Sequence, residues 1–71
     1  MEMKTVEIVV NGNTHAVAEG SSVLELLDAL RLEPERVAVE LDREILKRPF
    51  WDSTVLKPGA QLEIVHFVGG G

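Results

Sequence analysis

The chain has 71 residues, of which 45% are hydrophobic, and its 7 Lys and Arg against 12 Asp and Glu give a net charge of −5. A chain of this length forms one small domain that buries only about 60% of the surface of its unfolded form, so we expect no deep substrate cavity. The acidic balance disfavours nucleic acid and anionic membranes as partners and suits a basic protein partner better. With no cysteine, disulfides, thiolate metal ligands and thiol catalysis are excluded.

The start of the chain does not resemble a secretory signal. No apolar run approaches the roughly 20 residues that a membrane-spanning helix needs. The sequence therefore predicts a cytoplasmic protein.

Alternating β-branched residues predict a first strand over residues 5–10. Its buried face is formed by Val6, Ile8 and Val10. The dipeptide Asn11-Gly12 that follows is typical of a type I′ hairpin turn, which needs positive φ at both central positions. The second strand is predicted over residues 14–18. A strict two-residue loop would place His15 on the same face as Ile8, whereas a bulged loop would not, and the sequence leaves this register open.

A capping box predicts a helix that begins at Ser22. The Ser22 hydroxyl can accept from the third helical amide, and the Glu25 carboxylate can reach back to the serine amide. Apolar residues at helical spacing predict the stripe that packs on a sheet: Val23, Leu26, Leu27 and Leu30. The helix is expected to end near Arg31 or Leu32, because Pro34 disfavours helical geometry in the residue before it.

Alternating residues over 37–41 predict a third strand with one buried face. Asp42-Arg43 fits a turn, although Arg is a poor substitute for Gly at its second position, and residues 44–47 are expected to add a short strand. Residues 49–53 predict an irregular segment or one turn of tight helix. At least one of its two aromatic side chains is expected to cover the core.

The last predicted strand, residues 61–67, follows a type II turn at Lys57-Pro58-Gly59-Ala60. Apolar residues lie on both of its faces, as in a central strand, yet one helix covers only one face. Val65 and Phe67 are therefore expected on an open face, as a candidate docking patch. The order of elements predicts an α+β fold, with a mixed sheet of four to five strands and one main helix on one face.

The side chains do not form a recognisable catalytic or metal site. His15 and His66 lack metal-ligand spacing, and the sequence offers no Ser/His/Asp set, Walker-type loop or paired-carboxylate cleft. Neither an autonomous enzyme nor a metal site is expected. The basic residues around the second turn (Arg43, Lys47 and Arg48) are typical of a solvated edge, with a partner contact as the alternative.

The chain ends in Val68 and three glycines. Glycine lacks the Cβ that would block entry into a narrow channel. At roughly 3.3 to 3.6 Å per extended residue, these four residues can carry the α-carboxylate about 13 to 14 Å from the folded body. Such an ending is often just a frayed terminus. Its place directly after a central strand favours a function, and we predict one domain over residues 1–67 and a flexible glycine tail over 68–71.

Over essentially its whole length the chain resembles the β-grasp fold of ubiquitin and its prokaryotic relatives, and its ending is similar to the ThiS family, the sulfur carriers of thiamine thiazole synthesis. The segments that carry this resemblance are Val10-Asn11-Gly12, Ser22 to Leu27, Val37 to Leu41 followed by Arg48, and Leu62 to Gly71. It departs from the family pattern at Gly59-Ala60 and Asp42-Arg43, both in turns, and by its third terminal glycine.

The resemblance implies a carrier that binds no cofactor of its own and is modified at Gly71. An E1-like adenylating enzyme would use MgATP to convert the Gly71 carboxylate into an acyl-adenylate. A persulfide donor would then replace AMP and leave a thiocarboxylate, from which thiazole synthase takes the sulfur. The tail residues that would enter a partner's active site are Val68, Gly69 and Gly70. The residues implied to form the partner-docking face are Val65, Phe67 and Arg48.

Besides a carrier variant that would attach Gly71 to lysines of other proteins, two other functions remain open from the sequence. The first is the similar small-subunit carrier of molybdopterin synthase, which is usually longer than this chain. The second is a ubiquitin-like binding module that is never activated and uses Val65 and Phe67 as its contact face.

Overall fold

The computed structural model describes residues 4–67, which form a five-stranded sheet in the order β2-β1-β5-β3-β4, with one main helix. The elements are β1 (Thr5–Val10), β2 (Asn13–Ala18), α1 (Val23–Ala29), β3 (Val37–Leu41), β4 (Glu44–Leu46) and β5 (Gln61–His66), with 3₁₀ turns at Pro34–Arg36 and Arg48–Phe50. β1 and β5 are parallel, and the other neighbouring strands are antiparallel. The predicted α+β arrangement with a mixed sheet and a central last strand is confirmed.

The first hairpin has the strict two-residue turn. Asn11 and Gly12 have φ angles of 49° and 84°, as a type I′ turn requires. Val10 pairs with Asn13, and Ile8 pairs with His15. His15 is therefore half-buried on the same face as Ile8, which answers the register question that the sequence left open.

The predicted capping box begins α1. The amide of Glu25 donates to Ser22 Oγ at 3.0 Å, and the amide of Ser22 donates to Glu25 Oε1 at 2.8 Å. These two bonds satisfy amides that the first turn of a helix leaves unpaired. The helix starts where the sequence predicts because both partners are local.

The end of α1 differs from the prediction. The helix stops at Ala29, because Arg31 takes a left-handed conformation with φ 60°. The amides of Arg31 and Leu32 turn back to carbonyls of the last helical turn at 3.0 and 2.9 Å, the pattern of a Schellman motif. Pro34 does not end the helix; it begins the 3₁₀ turn that leads into β3.

The core lies between α1 and the side of the sheet that faces it. Its buried residues are Ile8, Val10, Val23, Leu26, Leu27, Val37, Val39, Trp51, Leu56, Ala60 and Leu62. The predicted helical stripe is confirmed, with Leu30 only half-buried. Of the two adjacent aromatic residues, Trp51 covers the core, is 2% exposed and donates from Nε1 to the carbonyl of Leu46 at 2.7 Å, whereas Phe50 is 56% exposed.

β3 and β4 are joined by a second two-residue turn, Asp42-Arg43, with φ angles of 50° and 72°. The predicted turn is confirmed, with Arg43 in the backbone region that glycine usually occupies. The predicted type II turn before β5 is also present: Gly59 has φ 82°, and the amide of Ala60 donates to the carbonyl of Lys57 at 3.0 Å. The amide of Gly59 itself donates to Glu7 of β1 at 2.7 Å, so this turn is fastened to the sheet.

Candidate docking face on the central strand

β5 is held unequally by its two neighbours. On the β3 side the antiparallel ladder runs from Leu62 to His66, and the amide of Phe67 adds a bond to the carbonyl of Arg36 at 2.8 Å. On the β1 side the last main-chain bond between described residues joins the amide of Asn11 to the carbonyl of Leu62 at 2.9 Å, because the hairpin turns away there. The strand thus extends beyond the reach of the β1 backbone.

The side chain of Asn11 binds β5 beyond the point where the main-chain bonds from the β1 side end. The amide of Ile64 donates to Asn11 Oδ1 at 2.7 Å, and Asn11 Nδ2 donates to the carbonyl of Ile64 at 3.1 Å. A carboxamide has the same donor and acceptor as a peptide group. Asn11 therefore binds Ile64 as one more residue of a parallel strand would.

The second hairpin turn holds the opposite end of β5. The amide of Gln61 donates to Asp42 Oδ1 at 3.0 Å, and the amide of Asp42 donates to the carbonyl of Gln61 at 2.7 Å. The first residue of each hairpin turn therefore binds both main-chain groups of one residue in the central strand.

The outer face of β5 carries the two apolar side chains that the sequence placed there. Val65 is 58% exposed and Phe67 is 53% exposed, whereas Leu62 on the helix side is 1% exposed. Their predicted exposure is confirmed. Their docking role remains a prediction.

Two further apolar residues share this face. Val65 pairs with Ala38 of β3, and Glu40, two residues further along β3, pairs with Ile45 of β4. Directly paired residues project from the same side of a sheet. Ile45, which is 77% exposed, therefore belongs to the same surface. We call the set Ala38, Ile45, Val65 and Phe67 the open-face patch.

Ile45 was not predicted from the sequence to belong to this face. Its signal was present, since Ile45 and Leu46 are adjacent in a short strand and must point to opposite faces. The pairing register decides which of these two side chains points towards the helix. In this register Leu46 lies opposite the buried Val39.

Arg48 lies beside this patch at the start of the second 3₁₀ turn. Arg48 and Phe67 line one shallow depression together with Ala38 and Ile45, whereas Val65 is not among its lining residues. The structure therefore brings two of the three predicted docking residues together. Val65 is next to them on the same sheet face, opposite Ala38.

Opposite charges flank the patch. Glu40 and Glu63 pair directly across β3 and β5 on this face, both exposed. Like charges in that position repel each other, so a cationic group placed between them would be stabilising. Lys47 and Arg48 lie exposed after β4. The face thus offers an apolar centre with an acidic pair and a basic pair at its margins.

The tail assignments, Val68, Gly69, Gly70 and the modified Gly71, lie outside the described residues and stay predictions. Within residues 4–67, no group of three or more His, Asp or Glu is placed to hold a metal ion. No helix in this part of the chain is long and apolar enough to cross a membrane.

Residues 4–71 match the model of the ThiS family. The chain belongs to this family. It is similar to the crystal structure of the thiamine biosynthesis protein ThiS from Geobacter metallireducens, with 42% identity, coverage of 93% of this chain and 100% of that one, and a TM-score of 0.79. The predicted β-grasp fold and ThiS family are confirmed. Membership of the ThiS family supports the predicted role of a sulfur carrier over that of an autonomous catalyst.

Two curated relatives are much longer than this chain. A thiazole synthase of Magnetococcus marinus is 38% identical over 65 residues, which cover 92% of this chain and 20% of the relative. A thiazole synthase of Paramagnetospirillum magneticum is 34% identical over 65 residues, again 92% of this chain and 20% of the relative. The chain therefore spans about a fifth of the length of both.

Proposed function

We propose that this ThiS family member carries sulfur for the thiazole ring of thiamine as a thiocarboxylate on Gly71. The observation that carries the proposal is the family match, which continues through residue 71 and so includes the three glycines. A ThiS protein that covers 93% of this chain at a TM-score of 0.79 supports the same role.

The chemistry requires from this chain only a free carboxylate that a partner can enclose. A Gly71 carboxylate oxygen attacks the α-phosphorus of MgATP on an E1-like adenylating enzyme, and pyrophosphate leaves. The terminal sulfur of a persulfide donor then attacks the acyl carbon and expels AMP. This forms a carbon–sulfur bond and leaves an acyl disulfide. A thiol then attacks the donor's sulfur and breaks the sulfur–sulfur bond that came from the persulfide, which leaves the thiocarboxylate on the carrier and a disulfide on the donor side. Enclosure of the narrow glycine stem protects the adenylate from water.

The open-face patch is the docking surface of this proposal. Ile45, Val65 and Phe67 are all more than half exposed, and a small domain seldom leaves such a contiguous apolar group without a use. Phe67 directly precedes the tail, so a partner that covers it is placed to receive Val68 to Gly71. The acidic pair Glu40 and Glu63 suits a basic group on that partner.

The two long relatives support thiazole synthase as the partner that takes the sulfur. In both, a segment similar to this chain makes up about a fifth of a protein named thiazole synthase. A carrier segment within such a polypeptide is held at a high effective concentration relative to the remainder of the chain. We infer that this chain makes the equivalent encounter with thiazole synthase.

Mass spectrometry tests the carrier role. After incubation with the adenylating enzyme, MgATP and a persulfide donor, the intact chain should gain the mass difference between one sulfur and one oxygen. Deletion of Gly71 should abolish the gain. Modification that survives the deletion, or an unmodified full-length chain, would contradict the proposal.

A polar substitution tests the docking surface. Phe67→Ser should weaken binding to the adenylating enzyme about tenfold or more, as for an anchor residue of an interface. Its effect on unfolding should stay near 0.5 kcal/mol, as for an exposed site. Phe50→Ser is the matched control, because Phe50 is similarly exposed (56%) but is not part of the patch. Equal loss of binding in both variants would argue against the patch.

A further inference from the structure

The end of β5 depends on one side chain for its attachment to the β1 side of the sheet. Main-chain bonds from β1 and its turn reach Ala60 and Leu62, at 2.8 and 2.9 Å. Beyond Leu62, the hydrogen bonds from this side that join described residues are the two made by the Asn11 carboxamide to Ile64. The β3 side continues further, to His66 and Phe67.

Turn geometry alone does not explain these two bonds. Asn suits a left-handed position such as φ 49°, but Gly suits it equally well. The carboxamide is instead directed at a residue 53 positions away and binds both its N–H and its C=O. Asn13, on the other side of the turn, makes no side-chain hydrogen bond with the described residues, although it is the same residue type.

Ile64 directly precedes the part of β5 that belongs to the open-face patch. If Ile64 loses its anchor on the β1 side, the segment from Glu63 to Phe67 is held from the β3 side alone. A segment with one attached edge opens locally more often than a segment held at both edges. A partner that needs the ordered conformation then binds with an apparent affinity reduced by the fraction that is ordered.

We propose that Asn11 is a positioning residue for activation of the carrier: through Ile64 it fixes Val65 and Phe67 in the conformation that the adenylating partner recognises. This inference rests on the proposed carrier function. In this proposal Asn11 acts only through β5.

Hydrogen exchange tests, in the isolated protein, whether the Asn11 side chain holds Ile64. In Asn11→Gly the turn keeps a residue suited to positive φ, while both side-chain bonds are lost. The Ile64 amide should then exchange about five- to thirtyfold faster, the range expected for the loss of two net hydrogen bonds. The amide of Leu26, which donates to the Ser22 carbonyl in α1, should respond only to the change in global stability. An unchanged Ile64 amide would overturn the proposal.

Steady-state adenylation tests the positioning role, with each variant assayed where it is fully folded. Asn11→Gly and Asn11→Asp should raise KM for the carrier and leave kcat within about twofold, since fewer carriers present the ordered face. A threefold rise in KM corresponds to an ordered fraction of about one third. Asn13→Asp is the matched control; it adds the same charge two residues away without touching Ile64 and should behave as the wild type. A wild-type KM in Asn11→Gly, or an equal rise in Asn13→Asp, would overturn the proposal.

Failure of the carrier function itself gives a different pattern. In that case the wild-type chain is not adenylated at all, and the positioning role is refuted together with the proposed function. The exchange experiment still reports separately whether Asn11 anchors Ile64.

Discussion

The two hairpin turns have the same backbone and different side chains. Asn11-Gly12 and Asp42-Arg43 both place two consecutive residues at positive φ, between 49° and 84°. In each, the first residue reaches the central strand: Asn11 at Ile64 and Asp42 at Gln61. The backbone requirement of the turn therefore does not select its first residue uniquely. The group that this residue must bind in β5 completes the selection.

Asn11 and Asp42 use different groups to bind their partner residues in β5. Asn11 uses a side-chain acceptor and a side-chain donor, because its own main-chain amide is already engaged with Leu62. Asp42 needs only its carboxylate acceptor, because its main-chain amide serves the carbonyl of Gln61. An amide is therefore required at the first turn, whereas an acid suffices at the second.

The largest expected effect is at Asn11. Asn11→Ala should destabilise the fold by about 2 to 3 kcal/mol, since it removes two hydrogen bonds and leaves a residue with a Cβ at positive φ. Asn11→Gly removes the same bonds without the strain and should lose about 1 to 2 kcal/mol. Urea denaturation of both variants measures the difference. Equal losses would mean that the strain at this position is negligible.

A reciprocal exchange of the two side chains should be unequal. Asn11→Asp should destabilise by about 1 to 2 kcal/mol at neutral pH, because the carboxylate has no donor for the Ile64 carbonyl and repels it. Asp42→Asn keeps the acceptor for the Gln61 amide and should change stability by less than about 0.5 kcal/mol. Thermal unfolding of Asn11→Asp and Asp42→Asn measures the two changes in stability. Equal effects would remove the distinction drawn between the two turns.

The smallest expected effect is at the second residue of the second turn, and it is a gain. Arg43→Gly should stabilise the fold by about 0.5 to 1 kcal/mol, because the strain of Arg at φ 72° exceeds the entropy that glycine adds to the unfolded chain. Denaturant midpoints measure this gain in stability. Arg31→Gly tests a second arginine at positive φ in the same way. A loss at residue 43 alone would show that Arg43 matters more as a charge near Glu40 and Glu63, with which it lines a shallow depression.

Much of the fold was predictable because its signals are local. The capping box of Ser22 and Glu25, the Asn11-Gly12 turn and the alternation in each strand depend on residues within a few positions of one another. The exposure of Val65 and Phe67 followed from counting faces: a central strand is apolar on both sides, and one helix covers only one of them.

The rest depended on contacts that local patterns do not encode. Nothing in an arginine predicts the left-handed conformation with which Arg31 ends the helix, since tertiary packing imposes it. The place of Ile45 in the patch needed the register between β3 and β4. The two hydrogen bonds between Asn11 and Ile64 depend on the parallel pairing of β1 with β5, which brings together residues 53 positions apart.

The central position of β5 has a consequence for the order of folding. The β1–β2 and β3–β4 hairpins are each closed by a two-residue turn, and such local pairings form quickly. Within residues 4–67, the sheet joins the two hairpins only through β5, which comes after them in the chain and must insert between β1 and β3. This insertion closes the longest loops and is expected to be the slow step. A chain that displays an ordered Val65 on its surface has therefore completed its folding, so a partner that recognises this strand selects finished carriers over incomplete ones.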